Sequence, residues 1–174
     1  MHNIKTLISA DKLKARIKEL GEEISRDYAD KEDVHLICVL KGGVMFMVDL
    51  SKHIKEPPLS MDFMAVSSYG NEKTSTGVVK IVKDLDESIE GKDVIIVEDI
   101  IDSGRTLSYL VQILKDRNPN SVKICTLLDK PERRVIDVQV DYVGFSIPDE
   151  FVLGYGLDYE QKYRNLPYIG IMEL

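Results

Sequence analysis

Val94-Ile95-Ile96-Val97-Glu98-Asp99-Ile100-Ile101-Asp102-Ser103-Gly104-Arg105-Thr106 decides how this chain is read: four apolar residues run into two carboxylates, then into a turn that opens a helix. The reading is a buried strand that stops at Glu98 and Asp99, followed by a phosphate-sized loop. Backbone N–H groups at a helix start, hydroxyls from Ser103 and Thr106, and a glycine at 104 with no Cβ in the way suit a phosphate dianion. Glu98 and Asp99 are acceptors placed for ribose hydroxyls or a hydrated magnesium ion. Either half alone is weak, since strands often end in acids and Asp-Ser-Gly is a common turn and cap. The full run carries the inference.

Working outward, Leu107, Leu110, Val111 and Leu114 continue the signature as a helix, and residues 122–128 form the next apolar strand. Upstream, Leu13, Ile17, Leu20 and Ile24 recur at spacings of four, three and four, which predicts an amphipathic helix over 9–28 with Ser9 as its cap. Residues 34–40 read as a short strand, and Gly42-Gly43 turns it into a helix carrying Val44, Met47 and Leu50 that Pro57-Pro58 ends. Strands at 59–66 and 78–83 flank the polar stretch 67–77, a mobile loop or hairpin tip with almost nothing to bury. Alternating strands and helices predict an α/β fold with a mostly parallel sheet and a crevice at the strands' carboxyl ends.

The chain has 174 residues, 44% hydrophobic and 30% charged, with a net charge of −7. That length suits one domain, residues 1–174, whose site is built from loops over a single core. The acidic balance argues against nucleic acid as the main partner while leaving room for a small anionic substrate. Cys38 and Cys125 lie in apolar strand-like runs, so buried free thiols in a reducing cytoplasm are expected. No stretch has the apolar length of a signal peptide or a membrane span, so no membrane partner is expected.

The signature string resembles the phosphoribosyl-pyrophosphate (PRPP) motif of the type I phosphoribosyltransferases. The resemblance widens through Leu40-Lys41-Gly42-Gly43, Ser68-Tyr69, Lys130 and Phe151-Val152-Leu153-Gly154-Tyr155-Gly156-Leu157-Asp158, which follow the order and approximate spacing of the hypoxanthine(-guanine) phosphoribosyltransferases over about residues 34–166. It implies a five-stranded parallel core flanked by helices, with a small hood from both chain ends. It also implies purine salvage: hypoxanthine, with guanine as a second base, joined to PRPP to give IMP or GMP and pyrophosphate, with magnesium as cofactor. Family members are commonly dimers or tetramers, so a homodimer or homotetramer is expected.

The resemblance assigns roles residue by residue. Glu98, Asp99, Asp102, Ser103, Gly104, Arg105 and Thr106 hold the phosphoribosyl group, with Ser103 and Arg105 standing where some members have threonine and lysine. Lys41, Gly42, Gly43, Ser68, Tyr69 and Arg164 contact pyrophosphate. In the family a non-proline cis peptide often precedes that lysine, here Leu40-Lys41. Lys130, Phe151, Val152 and Asp158 serve the purine, and Glu98, Asp99 and Asp158 the metal.

Read without the family, Lys41-Gly42-Gly43 is more commonly an ordinary strand-to-helix turn, and Asp158 and Arg164 could be solvated charges. Phe151 alone would be a core residue and Lys130 a solvent-facing one. The loop 67–77 is a lid or a hairpin tip with no role. Asp102 is the expected proton acceptor for a purine nitrogen, and an Asx-turn role is compatible with that. Two other classes have less support. A nucleotide-sensing regulator that binds RNA or DNA needs a basic face, and a P-loop protein needs a Gly-x4-Gly-Lys-Ser/Thr string that the sequence lacks.

Overall fold

The computed structural model describes residues 3–68 and 78–173. Among these, the chain runs β1 (Asn3–Ile8), α1 (Ala10–Asp27), β2 (Val34–Leu40), α2 (Val44–Ser51), β3 (Leu59–Ser68), β4 (Val79–Lys83), β5 (Asp93–Ile101), α3 (Arg105–Lys115), β6 (Ser121–Asp129), β7 (Tyr142–Ser146), β8 (Val152–Leu153) and β9 (Ile169–Glu173). A six-stranded sheet has the order β4-β3-β2-β5-β6-β7. Its five strands from β3 to β7 pair in parallel, as the family resemblance implies, and β4 adds an antiparallel edge to β3.

Strand periodicity splits the core into two layers. Leu36, Cys38, Ile95 and Val97 pack with Leu13, Ile17, Leu20 and Ile24 of α1 and Phe46, Met47 and Leu50 of α2. The intervening Ile37, Val39, Val94 and Ile96 meet Leu107, Leu110 and Leu114 of α3 on the opposite face. Each large aliphatic side chain so buried stabilises the fold by about 1.5–3 kcal/mol. Ser9 caps α1 as its sequence predicts, its hydroxyl accepting the Lys12 N–H at 3.2 Å. Both cysteines are free and buried, and burial pushes the Cys38 thiol up to about 12. No helix among the described residues is long and apolar enough to cross a membrane.

The smaller sheet, β1-β9-β8, joins the N-terminal strand to two C-terminal ones and forms the hood. Two boundaries differ from the sequence reading. Strand β5 does not stop at Glu98 and Asp99 but continues to Ile101, because β6 extends alongside it and pairs as far as Ile101↔Asp129. Helix α2 ends at Ser51, well before Pro57-Pro58, and the chain turns through residues 52–54 with the His53 N–H bonded to Leu50 O at 3.0 Å.

Candidate active site

From β2 the chain moves to β3 on one side, and from β5 it moves to β6 and β7 on the other. Neighbouring parallel strands whose connections leave in opposite directions open a crevice at their carboxyl ends. Segments 41–43 and 102–104 follow those two strands and flank that crevice. The bridge between them is close: a β-carbon on Gly42 would overlap the Asp99 carboxylate. Gly43 bonds its N–H to Val39 O at 3.2 Å, and the Leu40–Lys41 peptide is cis.

The C-terminal segment backs onto the same turn. Gly156 has φ +100°, and a β-carbon there would strike the Gly42 carbonyl. Arg164 fastens this segment, donating from Nη1 to Gly156 O at 2.7 Å and from Nη2 to Gln161 Oε1 at 3.1 Å, with Asp158 Oδ1 at 3.4 Å. Lys41 Nζ donates to the same Gln161 oxygen at 3.4 Å. Lys41, Arg164 and Asp158 are thus gathered around Gln161, two cations beside one loop. That is a suitable wall for a polyanion.

The acids at the crevice floor are partly buried and adjacent. Burial first, and the Asp99 charge second, raise the Glu98 carboxyl well above the ordinary range. Burial also raises Asp99, against the pull of the Ile100 N–H that its Oδ1 accepts at 2.7 Å and of Arg164. Two acids held this way resist carrying both negative charges unless a hydroxyl donor or hydrated cation compensates them. Among the described residues, however, no three His, Cys, Asp or Glu side chains converge to hold a metal ion. Glu98, Asp99 and Asp158 are therefore not a ready-made chelate. The donor set suits magnesium, which keeps several waters and takes substrate oxygens, better than an ion needing a full protein cage.

The loop that follows β5 is held from behind. Gly104 adopts φ +84°, and a β-carbon there would lie 2.6 Å from Ile136 O, so the close approach requires glycine. Val135 and Ile136 donate to Ser103 O at 2.9 and 3.1 Å, and Arg134 Nε donates to Asp102 O at 3.3 Å. Ser103 Oγ accepts the Arg105 N–H at 3.3 Å, leaving Asp102 to a different partner: its Oδ1 accepts from Arg133 Nε at 2.6 Å. The hydroxyl that caps the turn is thus Ser103, and the Asp102 carboxylate is half-exposed toward Arg133. Arg105 and Thr106 begin α3, where first-turn N–H groups lack intrahelical acceptors.

Lys130 is 9% exposed and its backbone N–H donates to Ile101 O at 3.0 Å, so the residue is neither solvent-facing nor remote from the 102–106 loop. Phe151 is 53% exposed rather than a core residue, and its ring meets Tyr159 edge-on at 5.8 Å between centroids. Val152 is buried in β8 and pairs with Ile171.

Tyr69 and most of the loop 67–77 lie outside the described residues; Ser68 ends β3, and its side chain is outside the description too. Sequence reasoning missed Gln161, Tyr159, Arg133, Arg134 and Asp149. A polar residue three before Arg164 and a paired arginine after Lys130-Pro131 were visible signals, but nothing in their spacing says what they touch.

The phosphoribosyl transferase domain model matches residues 4–160. The chain is 56% identical over 175 residues to the bifunctional protein TilS/HprT of Listeria monocytogenes, covering 99% of this chain but only 27% of that protein. It is 56% identical to the hypoxanthine-guanine phosphoribosyltransferase of Bacillus subtilis, covering 99% of this chain and 95% of the relative. A crystal structure of a hypoxanthine phosphoribosyltransferase from Staphylococcus aureus superposes with a TM-score of 0.93 at 50% identity, covering 97% of this chain and 91% of the other. With a fold, a signature loop and near-full-length relatives in agreement, the chain belongs to the phosphoribosyl transferase family, among its hypoxanthine(-guanine) phosphoribosyltransferases.

Proposed function

We propose that this chain transfers the phosphoribosyl group of PRPP to hypoxanthine and guanine, releasing pyrophosphate and forming IMP or GMP with inversion at C1. The observation that carries the reading is the bond from Lys130 N–H to Ile101 O at 3.0 Å, which ties the donor for a 6-oxopurine to the strand end that carries the phosphate loop. Base and phosphoribose are then served from the ends of two neighbouring strands, β5 and β6.

In this reading the 5′-phosphate sits on the N–H groups and hydroxyls of 103–106, with Gly104 giving close approach and Arg105 modulating affinity. Glu98 and Asp99 accept from the ribose diol. Lys41, Gly42, Gly43 and Arg164 receive the leaving pyrophosphate, and Ser68 and Tyr69 cover it as a lid that keeps water from an oxocarbenium-like sugar. Phe151 stacks on the purine, Lys130 donates to its 6-oxygen, and the backbone at Val152 reads its edge. Asp102 accepts the proton that the purine sheds as the N9–C1 bond forms. Magnesium, when bound near Glu98, Asp99 and Asp158, screens the charge of the departing pyrophosphate.

We read residues 1–174 as one domain acting in the cytoplasm as a homodimer or homotetramer, with neither nucleic acid nor membrane as partner. Incubation with PRPP, magnesium and each nucleobase in turn tests the activity. IMP and GMP are expected, and a protein that yields neither monophosphate does not have this function.

A further inference from the structure

Four alternating charges run along one side of the base site. Asp102 Oδ1 accepts from Arg133 Nε at 2.6 Å, Arg133 Nη1 lies 3.5 Å from Asp149 Oδ2, and Asp149 Oδ1 lies 3.7 Å from Lys130 Nζ. The ends of this chain are the two groups assigned above to the base, the proton acceptor and the 6-oxygen donor. The middle is unassigned.

We propose that Asp149 is a positioning residue for purine recognition, holding Lys130 and Arg133 with one carboxylate so that Lys130 and Asp102 meet the same base together. The proposal rests on the roles given to Lys130 and Asp102 under the proposed function.

Four features support it. The Lys130 side chain is 11% exposed, and an ammonium group so placed needs a counter-charge, which Asp149 provides. A lysine head on a flexible four-carbon stem is directed by its partner more than by its own rotamers. Asp149 itself stands on a fixed turn: Ile147 N–H donates to Asp129 O at 2.8 Å, Glu150 N–H donates to Pro148 O at 2.8 Å, and Pro148 restricts the backbone between them. Two residues later the same turn delivers Phe151. One short segment therefore supplies both the stacking ring and the anchor for the donor. Arg133 lies on the single helical turn Pro131–Arg133, its N–H bonded to Lys130 O at 3.1 Å, so the two cations that Asp149 receives are on one rigid piece.

Asp149 is exposed, and exposed ion pairs contribute little to folding. Its removal should move substrate recognition far more than stability, the cost in stability being that of the Lys130 ammonium left without its counter-charge. The test is steady-state kinetics of wild type, D149N, D149E, K130M and D149N/K130M, with hypoxanthine and PRPP varied in turn, alongside thermal melts. D149N should raise the KM for hypoxanthine about tenfold while the PRPP KM holds and Tm falls by no more than a few degrees, and D149E should recover most of the loss. In the K130M background D149N should add less than about twofold to the hypoxanthine KM, because of the two cations it holds the one that donates to the base is gone. An unchanged hypoxanthine KM in D149N, or an undiminished further rise in K130M, overturns the proposal while wild-type turnover upholds the function. Absence of wild-type turnover overturns both.

Discussion

Gly42 and Asp99 meet across the two central strands so closely that any side chain at 42 would overlap the Asp99 carboxylate. The turn after β2 and the acid in β5 are therefore one unit, and the missing Cβ keeps Asp99 where it is. In G42A the carboxylate must shift while the strands stay paired. The PRPP KM should rise about tenfold or more, with Tm falling only a few degrees. Initial rates over a PRPP series together with a thermal melt check this; an unchanged KM would show that the contact has no bearing on the substrate.

Asp102 offers a half-exposed carboxylate already bonded to a guanidinium, and asparagine keeps its size and an accepting oxygen while removing its basicity. D102N should lower kcat by about two orders of magnitude or more and leave PRPP affinity within a few-fold. Turnover equal to wild type would remove Asp102 from the reaction.

Glu98 makes the unliganded protein pH-sensitive. Its folded carboxyl is raised above the unfolded value, so the folded state binds more protons in the interval between the two. Stability is accordingly lost as pH climbs from the ordinary carboxylate range through the raised Glu98 value. E98Q carries no such charge, so it should melt above wild type at pH 8, with the gap closing toward pH 4. Melts across that range without ligand decide it; a gap that grows on acidification contradicts the assignment.

Phe151 is exposed, so F151A should cost almost nothing in stability. Base–aromatic stacking contributes about 1–3 kcal/mol, so the hypoxanthine KM should rise by about tenfold or more with the PRPP KM unmoved. Equal KM values for variant and parent would place the base elsewhere.

The parts of this fold legible in the sequence are those with strong periodicity. The α1 stripe from Leu13 to Ile24, the apolar β2, β5 and β6 strands, and the Asp102-Ser103-Gly104 turn each follow from local residue order. Strands β1, β8 and β9 do not. Two residues of β8 have no readable alternation, and the hood exists only because both chain ends meet. The site divides in the same way. Glu98 to Thr106 is contiguous, so the sequence alone sets its acids, turn and helix start side by side. The Gln161 link between Lys41 and Arg164, and the Asp149 link between Lys130 and Arg133, join residues brought together only by folding. Lys130 read alone was a surface lysine, and its burial comes from the pairing of β6 with β5 and the bond to Ile101.

The central claim is that residues 98–106 cradle a ribose 5′-phosphate. A crystal structure with IMP bound tests it most directly. The account predicts the phosphate on the backbone N–H groups of 103–106, the ribose hydroxyls at Glu98 and Asp99, and the base between Phe151 and Lys130. Nucleotide bound elsewhere, with this loop facing bulk solvent, would contradict it.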